Sequence, residues 1–301
     1  MKPPFLVSGD KIAIVACARK VSHEEMASAI ALIHKQGFIA VEGANLYGEN
    51  RQFSGTDEQR ASDMQQMLDD PTIKAIWCAR GGYGCARIID KINFDNFVKH
   101  PKWLIGFSDF TVFHSHVFAN FNIPTLHAIM PISLRGALPA EEENNILKDK
   151  SAFELFKFLK GEDYFLPVED KNIEVEGVIT GGNISVLYSM LGSSSDINTD
   201  GKILFLEDLD EYYYHIDRMM MAMKRAGKLK NLKTLLVGEV KDMRDNTIPF
   251  GHTVHEIISD HVAEYDYPVI YNMPVGHVAL NLPLPFGMNA NIRNGIITFA
   301  G

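Results

Sequence analysis

Lys102-Trp103-Leu104-Ile105-Gly106-Phe107-Ser108-Asp109-Phe110-Thr111-Val112-Phe113 runs from a short apolar stretch through a glycine and a serine into a second apolar stretch. Residues 102–105 read as a buried strand, Gly106 permits a tight turn, and residues 110–118 begin a helix. A serine at such a junction has two readings. It can cap the helix, because Ser and Asp are favoured N-caps. Or it is a nucleophile held proud of the fold, where a base reaches the hydroxyl and backbone N–H groups face an oxyanion. The second glycine of G-x-S-x-G is absent, and Phe110 stands there. The hexapeptide around Ser108 leaves both readings open.

Outward from this junction the first 130 or so residues alternate strands with helices. Residues 11–16 read as a strand. Ser22 and Glu25 form a capping-box pattern for a helix ending near Gly37, a C′ glycine. Strands follow at 38–42, 75–78, 103–105 and 123–126, with helices at 57–68 and 85–89. This spacing predicts a parallel sheet with right-handed crossovers. Between 136 and 171 the pattern degrades, apart from an amphipathic helix at 149–159. The expected division is therefore residues 1–140, a linker at 141–170, and a second domain at 171–301. There the pattern gives strands at 173–179, 202–206, 234–239, 269–272 and 291–298. It also gives a Gly181-Gly182 turn and helices ending near Leu191, Ala226 and Ala263. The fold class is α/β: a parallel-sheet N-terminal domain and a smaller, mixed C-terminal one. The run Met219-Met220-Met221-Ala222-Met223 suits core packing or a dimer face.

Composition excludes several classes of function. At 301 residues the chain suits two domains. A net charge of −9 argues against nucleic acid. Apolar runs such as Ile12-Ala13-Ile14-Val15-Ala16-Cys17-Ala18 are strand-sized, far short of a membrane span. The N-terminus lacks the pattern of a signal peptide. Cys17, Cys78 and Cys85 form no even framework and read as reduced core residues, so the expected location is the cytoplasm.

Ligands of open α/β sheets sit at the carboxyl ends of the strands. Ser108 lies there, and so does Arg80-Gly81-Gly82-Tyr83-Gly84, directly after the strand 75–78. The glycine loop can be a plain turn, a phosphate loop or half of an oxyanion hole. Neither dinucleotide nor P-loop spacing is present. In the oxyanion reading the second donor is the backbone N–H of Asp109, the residue after the serine. A nucleophile needs a base and an acid to orient it. His114 and His116 point to different faces of their helix. His252-Thr253-Val254-His255-Glu256 has the wrong order for a zinc protease. His277 follows a strand and Gly276 in a short loop, where a base can point into a cleft. Glu207 continues the buried run Ile203-Leu204-Phe205-Leu206 and is followed by Asp208, which gives the order Ser…Glu…His.

Taken together, Arg80-Gly81-Gly82-Tyr83-Gly84, Gly106-Phe107-Ser108-Asp109 with Thr111, Glu176-Gly177, Gly181-Gly182-Asn183, Leu206-Glu207-Asp208 and Gly276-His277 resemble the L,D-carboxypeptidases of serine peptidase family S66. That family includes muramoyltetrapeptide carboxypeptidases and microcin C self-immunity peptidases. The resemblance runs through nearly the whole chain. It implies Ser108 as nucleophile, His277 as base, Glu207 as the group holding His277, and the N–H groups of Gly82 and Asp109 as the oxyanion hole. It also implies a homodimer, with no metal or organic cofactor. The expected reaction removes D-Ala from a murein tetrapeptide during cytoplasmic recycling. The alternatives are a peptidyl-nucleotide hydrolase and a non-catalytic protein that binds a small ligand or peptide. Arg80 is the expected partner of the substrate carboxylate, and Asn183 a substrate contact by resemblance alone. Two features depart from the family. Ala16-Cys17-Ala18-Arg19 stands where a Pro-Ser-type turn is common. No tryptophan lies near residues 185–196 to stack a nucleotide, and Trp77 and Trp103 read as core.

Overall fold

Five strands, β1 (Lys11–Val15), β2 (Ile39–Glu42), β3 (Ile73–Cys78), β4 (Trp103–Gly106) and β5 (Thr125–His127), form the parallel part of a first sheet in a computed structural model. The structure describes residues 1–134 and 142–300. The strand order 5-4-3-1-2 follows from right-handed crossovers on both faces. Alternation along β1 serves both faces. Ala13 and Val15 pack with Ile76, Cys78 and Leu104, while Ile12 and Ile14 pack with Ala75, Trp77 and Trp103. Helix α1 (His23–Lys35) starts on the expected Ser22/Glu25 capping box and is followed by Gly37 at φ +87°. Helix α2 (Asp57–Asp69) has its own box, from Thr56 and Gln59. Residues 85–89 differ from the expected helix, since only 3-10 turns form at Cys85–Arg87 and Ile89–Lys91. Helices α3 (Asp95–Lys99) and α4 (Thr111–Phe121) flank β4.

The expected boundary at 140/141 lies outside the described residues. Beyond it, α5 (Glu142–Leu159) lays Ala152, Leu155, Phe156 and Leu159 on the first sheet, beside Trp77 and Trp103. The second sheet comprises β6 (Phe165–Pro167), β7 (Val175–Asn183), β8 (Ile203–Leu209), β9 (Thr234–Lys241) and β10 (Val269–Met273), with two later strands. β7 to β10 run parallel. One face of that parallel block is covered by α6 (Ile184–Met190), α7 (Tyr213–Arg225) and α8 (Val254–Val262). Met219, Met220 and Met223 are buried there, as core packing requires, and Met221 faces outward.

Three strand details revise the sequence reading. β11 (Leu284–Phe286) leaves the C-terminal half and pairs antiparallel with β5, completing the first sheet. The expected single strand at 291–298 is a hairpin of β12 (Asn289–Arg293) and β13 (Ile296–Phe299). Its turn is Asn294-Gly295, at φ +55° and +78°, a pair suited to a type I′ turn. Gly181-Gly182 is no turn. Both lie in β7, paired with Phe205 and Leu206 of β8. A Cβ on Gly181 would stand 1.9 Å from the Phe205 carbonyl oxygen, and one on Gly182 would stand 2.6 Å from Thr111. The glycines let β7 run against its neighbours with no side chain between. Gly181 also sits at φ +137°, so Gly181→Ala is expected to destabilise the protein by about 3 kcal/mol or more. A urea midpoint unchanged from wild type would contradict this close approach.

Candidate active site

The carboxyl ends of the two parallel blocks meet, and the predicted site residues lie along that seam. β4 ends in Gly106, where a Cβ would lie 2.8 Å from the Phe110 ring and 3.1 Å from Cys78 Cβ. Phe110, in the place of the missing second glycine, therefore packs down on the first one. Ser108 follows with φ +61°, the left-handed region that costs a non-glycine residue about 1–2 kcal/mol. It does not cap the helix, for no side-chain cap bond is made there. Its hydroxyl has no hydrogen bond among the described residues and is half-buried. His114 braces the elbow from below. Its Nε2 donates to the Gly106 carbonyl at 2.9 Å, which leaves Nδ1 to accept from Thr125 Oγ1 at 2.8 Å. Burial keeps this ring neutral, its pKa lowered to about 4.

The glycine loop 80–84 stands against the elbow. A Cβ on Gly81 would be 2.9 Å from Ser108 Cβ and 3.0 Å from its Oγ. The Asp109 carboxylate accepts from Cys85 N at 2.8 Å, which ties loop to elbow. Burial raises its pKa, opposed by that bond and by Arg60. Arg60 lies under the loop and donates to the Gly84 carbonyl at 3.0 Å. The three cysteines are buried and free, and burial pushes the Cys85 thiol up.

From the second sheet comes a buried pair. Glu207, fully buried on β8, accepts from His277 Nδ1 at 2.6 Å. The bond needs Gly276, at φ +110°, because a Cβ there would meet Glu207 Oε2 at 2.8 Å. The Gly276 N–H is held by Asn281 Oδ1 at 2.9 Å, and Asn281 N by Ser151 Oγ of α5 at 2.9 Å. Burial alone would lower the His277 pKa. The Glu207 charge and hydrogen bond, with Asp208 beyond, outweigh burial and raise it. Asp208 is held by Asn183 Nδ2 and the N–H groups of Ser185 and Leu209, each at 2.9 Å. Burial and the neighbouring Glu207 charge push its carboxyl up to about 7.

His277 reaches the elbow through Phe107, whose ring centre is 4.8 Å from the imidazole. Glu207 and His277 are thus in direct contact, while Ser108 stands one residue from Phe107 without a hydrogen bond to His277. Arg80 and Asn183 are engaged elsewhere. Arg80 Nη1 donates to the Lys20 carbonyl at 3.4 Å and lies 4.0 Å from Glu25, so it braces its own loop. Asn183 is buried. It caps α6 through Oδ1 and spends Nδ2 on Asp208, behind the site surface. Of the other histidines, His116 bonds Ser195, His252 faces Asp260 and His255 packs on the Tyr271 ring, while Glu256 completes the α8 capping box with Thr253. Sequence reasoning missed His127, a buried ring between Phe107 and Phe205, neutral through burial and the nearby His114 and His277. Its signal was a histidine ending a strand next to the elbow strand.

Comparison with known proteins adds to this geometry. The model of the LD-carboxypeptidase N-terminal domain (Peptidase_S66) matches residues 12–128, and that of the LD-carboxypeptidase C-terminal domain matches residues 176–292. A probable murein peptide carboxypeptidase of Bacillus subtilis is 30 % identical, over 96 % of this chain and 90 % of its own. A murein tetrapeptide carboxypeptidase of Pseudomonas aeruginosa is 28 % identical, over 93 % and 92 %. Among solved structures, muramoyltetrapeptide carboxypeptidase from Oxalobacter formigenes superposes with a TM-score of 0.82 at 25 % identity, covering 96 % of this chain and 97 % of that one. A microcin C7 self-immunity protein shares the fold, with a TM-score of 0.86 at 19 % identity and coverage of 99 % and 97 %.

Proposed function

The chain belongs to the LD-carboxypeptidase family, peptidase family S66, and is a hydrolytic peptidase, and from that premise we propose that it is a serine-type L,D-carboxypeptidase releasing D-Ala from murein tetrapeptides. The observation that carries the reading is the buried Glu207–His277 pair at 2.6 Å, in ring contact through Phe107 with the residue before a serine in the left-handed region. Its domain division is 1–140, 141–170 and 171–301. It works as a homodimer in cytoplasmic cell-wall recycling. The names of the murein-directed relatives support that setting, and among the described residues no helix is long and apolar enough to cross a membrane.

In the mechanism, Glu207 accepts a hydrogen bond from His277 Nδ1–H, which keeps the proton on Nδ1 and leaves Nε2 unprotonated toward the elbow. Substrate binding closes the remaining gap between Ser108 and Nε2, as catalytic hydrogen bonds often tighten only in the complex. Ser108 Oγ attacks the carbonyl of the L-centre and passes its proton to His277. The oxyanion then sits on the N–H groups of Gly82 and Asp109. Collapse expels the D-Ala amine, protonated by His277, and leaves a peptidyl ester on Ser108. Water, deprotonated by His277, hydrolyses that ester. The Asp109 carboxylate positions the two donors relative to each other through the bond to Cys85 N.

The test is a chromatographic assay of the purified protein on murein tetrapeptide. Stoichiometric tripeptide and D-Ala are expected. An intact tetrapeptide, or cleavage only of an aminoacyl sulfamoyl nucleotide supplied in parallel, would overturn the reading.

A further inference from the structure

Arg80 and Asn183 are occupied, which leaves open what holds the free carboxylate that defines a carboxypeptidase substrate. We propose that Arg19 is that residue: its guanidinium binds the α-carboxylate of the terminal amino acid, the leaving group. The proposal rests on the L,D-carboxypeptidase reading and adds to it a residue that decides specificity.

Gly82 makes room for the Arg19 arm. A Cβ on this glycine would stand 2.6 Å from Arg19 Cδ, 2.7 Å from Cγ and 2.8 Å from Nε. The Arg19 arm therefore lies across the glycine loop, in the space that only a glycine leaves. On the preceding residue, a Cβ on Gly81 would stand 3.0 Å from Ser108 Oγ. One dipeptide thus touches the arginine with one residue and the nucleophile with the other. Adjacent Cα atoms are about 3.8 Å apart. In a one-residue leaving group the carboxylate stands about as far from the carbonyl carbon that Ser108 attacks. The Arg19 arm thus lies against the loop at Gly82, one residue beyond the glycine that faces Ser108. The Arg19 backbone N–H, 3.4 Å from the Gly81 carbonyl, holds strand end and loop in register.

Charge bookkeeping around the loop singles out this side chain. Lys20 pairs with Glu49, Arg80 faces Glu25, and Arg60 and Arg87 both pair with Asp57. Arg19 is exposed, and among the described residues its guanidinium has no carboxylate and no hydrogen bond. A guanidinium binds a carboxylate through two parallel N–H···O bonds, so it selects that group over an amide.

The test compares murein tetrapeptide with its C-terminal carboxamide, in wild type and Arg19→Gln. Wild type is expected to prefer the free acid. Arg19→Gln is expected to lose roughly 10- to 100-fold in kcat/KM on the free acid, carried mainly by KM, and to change little on the carboxamide. Arg19→Lys should recover part of the loss. An equal loss on both substrates would make Arg19 a brace of the loop and overturn the proposal, as would no loss on either. A second arm needs no turnover: calorimetric binding of both peptides to Ser108→Ala protein, with and without Arg19→Gln. Loss of the acid preference in the double variant supports the proposal even if wild type releases no D-Ala, an outcome that would sink only the functional reading. A preference that survives Arg19→Gln, or no binding of either peptide, overturns the proposal itself.

Discussion

Ser108→Ala is expected to lower kcat for D-Ala release by about 10⁵- to 10⁶-fold, with KM and stability close to wild type. The size follows from losing the bond-forming atom itself. His277 and Glu207 have nothing to deprotonate without Ser108 Oγ, and only the oxyanion donors and substrate binding remain. The small effect on stability follows from the structure. The hydroxyl makes no hydrogen bond among the described residues, and alanine keeps the Cβ that already stands 2.9 Å from where a Gly81 Cβ would be. A variant that retains activity within tenfold of wild type would remove Ser108 from the mechanism. A variant that fails to fold would mean the elbow depends on a contact of the hydroxyl.

Glu207→Gln is expected to do two separable things. It removes the charge that stabilises the imidazolium formed as Ser108 gives up its proton, so kcat/KM should fall by about 10³-fold or more. It also shifts the pH profile. A general base works only when neutral, so the wild-type rate declines as pH falls through the raised His277 pKa, and that acid limb lies above the ordinary histidine value. The groups around the ring are Glu207 and Asp208 on β8, the neutral His127 on β5, and the Phe107 ring. Without the Glu207 charge, burial dominates and the His277 pKa drops. The acid limb should therefore move to lower pH even as the plateau falls. A limb that stays put would mean that another group sets it. Asp208, whose carboxyl is itself pushed up to about 7, is the group to examine next.

The parts of this fold legible in sequence are those whose signals are local. The capping box at Ser22 and Glu25 and the βα alternation that ends in the Ser108 elbow need no knowledge of distant residues. Glu207 and Gly276-His277 could be picked out because each follows an apolar strand at a carboxyl end. Their 2.6 Å contact was not legible, since it depends on Gly276 clearing Glu207 and on Asn281 and Ser151 holding the loop. Gly181-Gly182 misled because a glycine pair looks the same in a turn and in a strand packed against a neighbour's backbone. The β11 return to the first sheet was hidden because Leu284-Pro285-Phe286 is too short to show a pattern. Asn294-Gly295 did carry a hairpin signal, masked by the apolar run around it. Arg80 looked like the carboxylate anchor because its loop is the one the motif names. Its hydrogen bond to Lys20 and its approach to Glu25 are tertiary facts, and so is the path of Arg19 across Gly82.

The central claim is a covalent peptidyl ester on Ser108, and mass spectrometry of the acid-quenched reaction tests it most directly. Enzyme mixed with excess murein tetrapeptide and quenched within the first turnover should yield a Ser108-containing peptide heavier by the tripeptide acyl group, with one equivalent of D-Ala already free. The adduct should be absent from Ser108→Ala protein. D-Ala released from that variant at the wild-type rate, or an adduct on any other residue, would contradict the account.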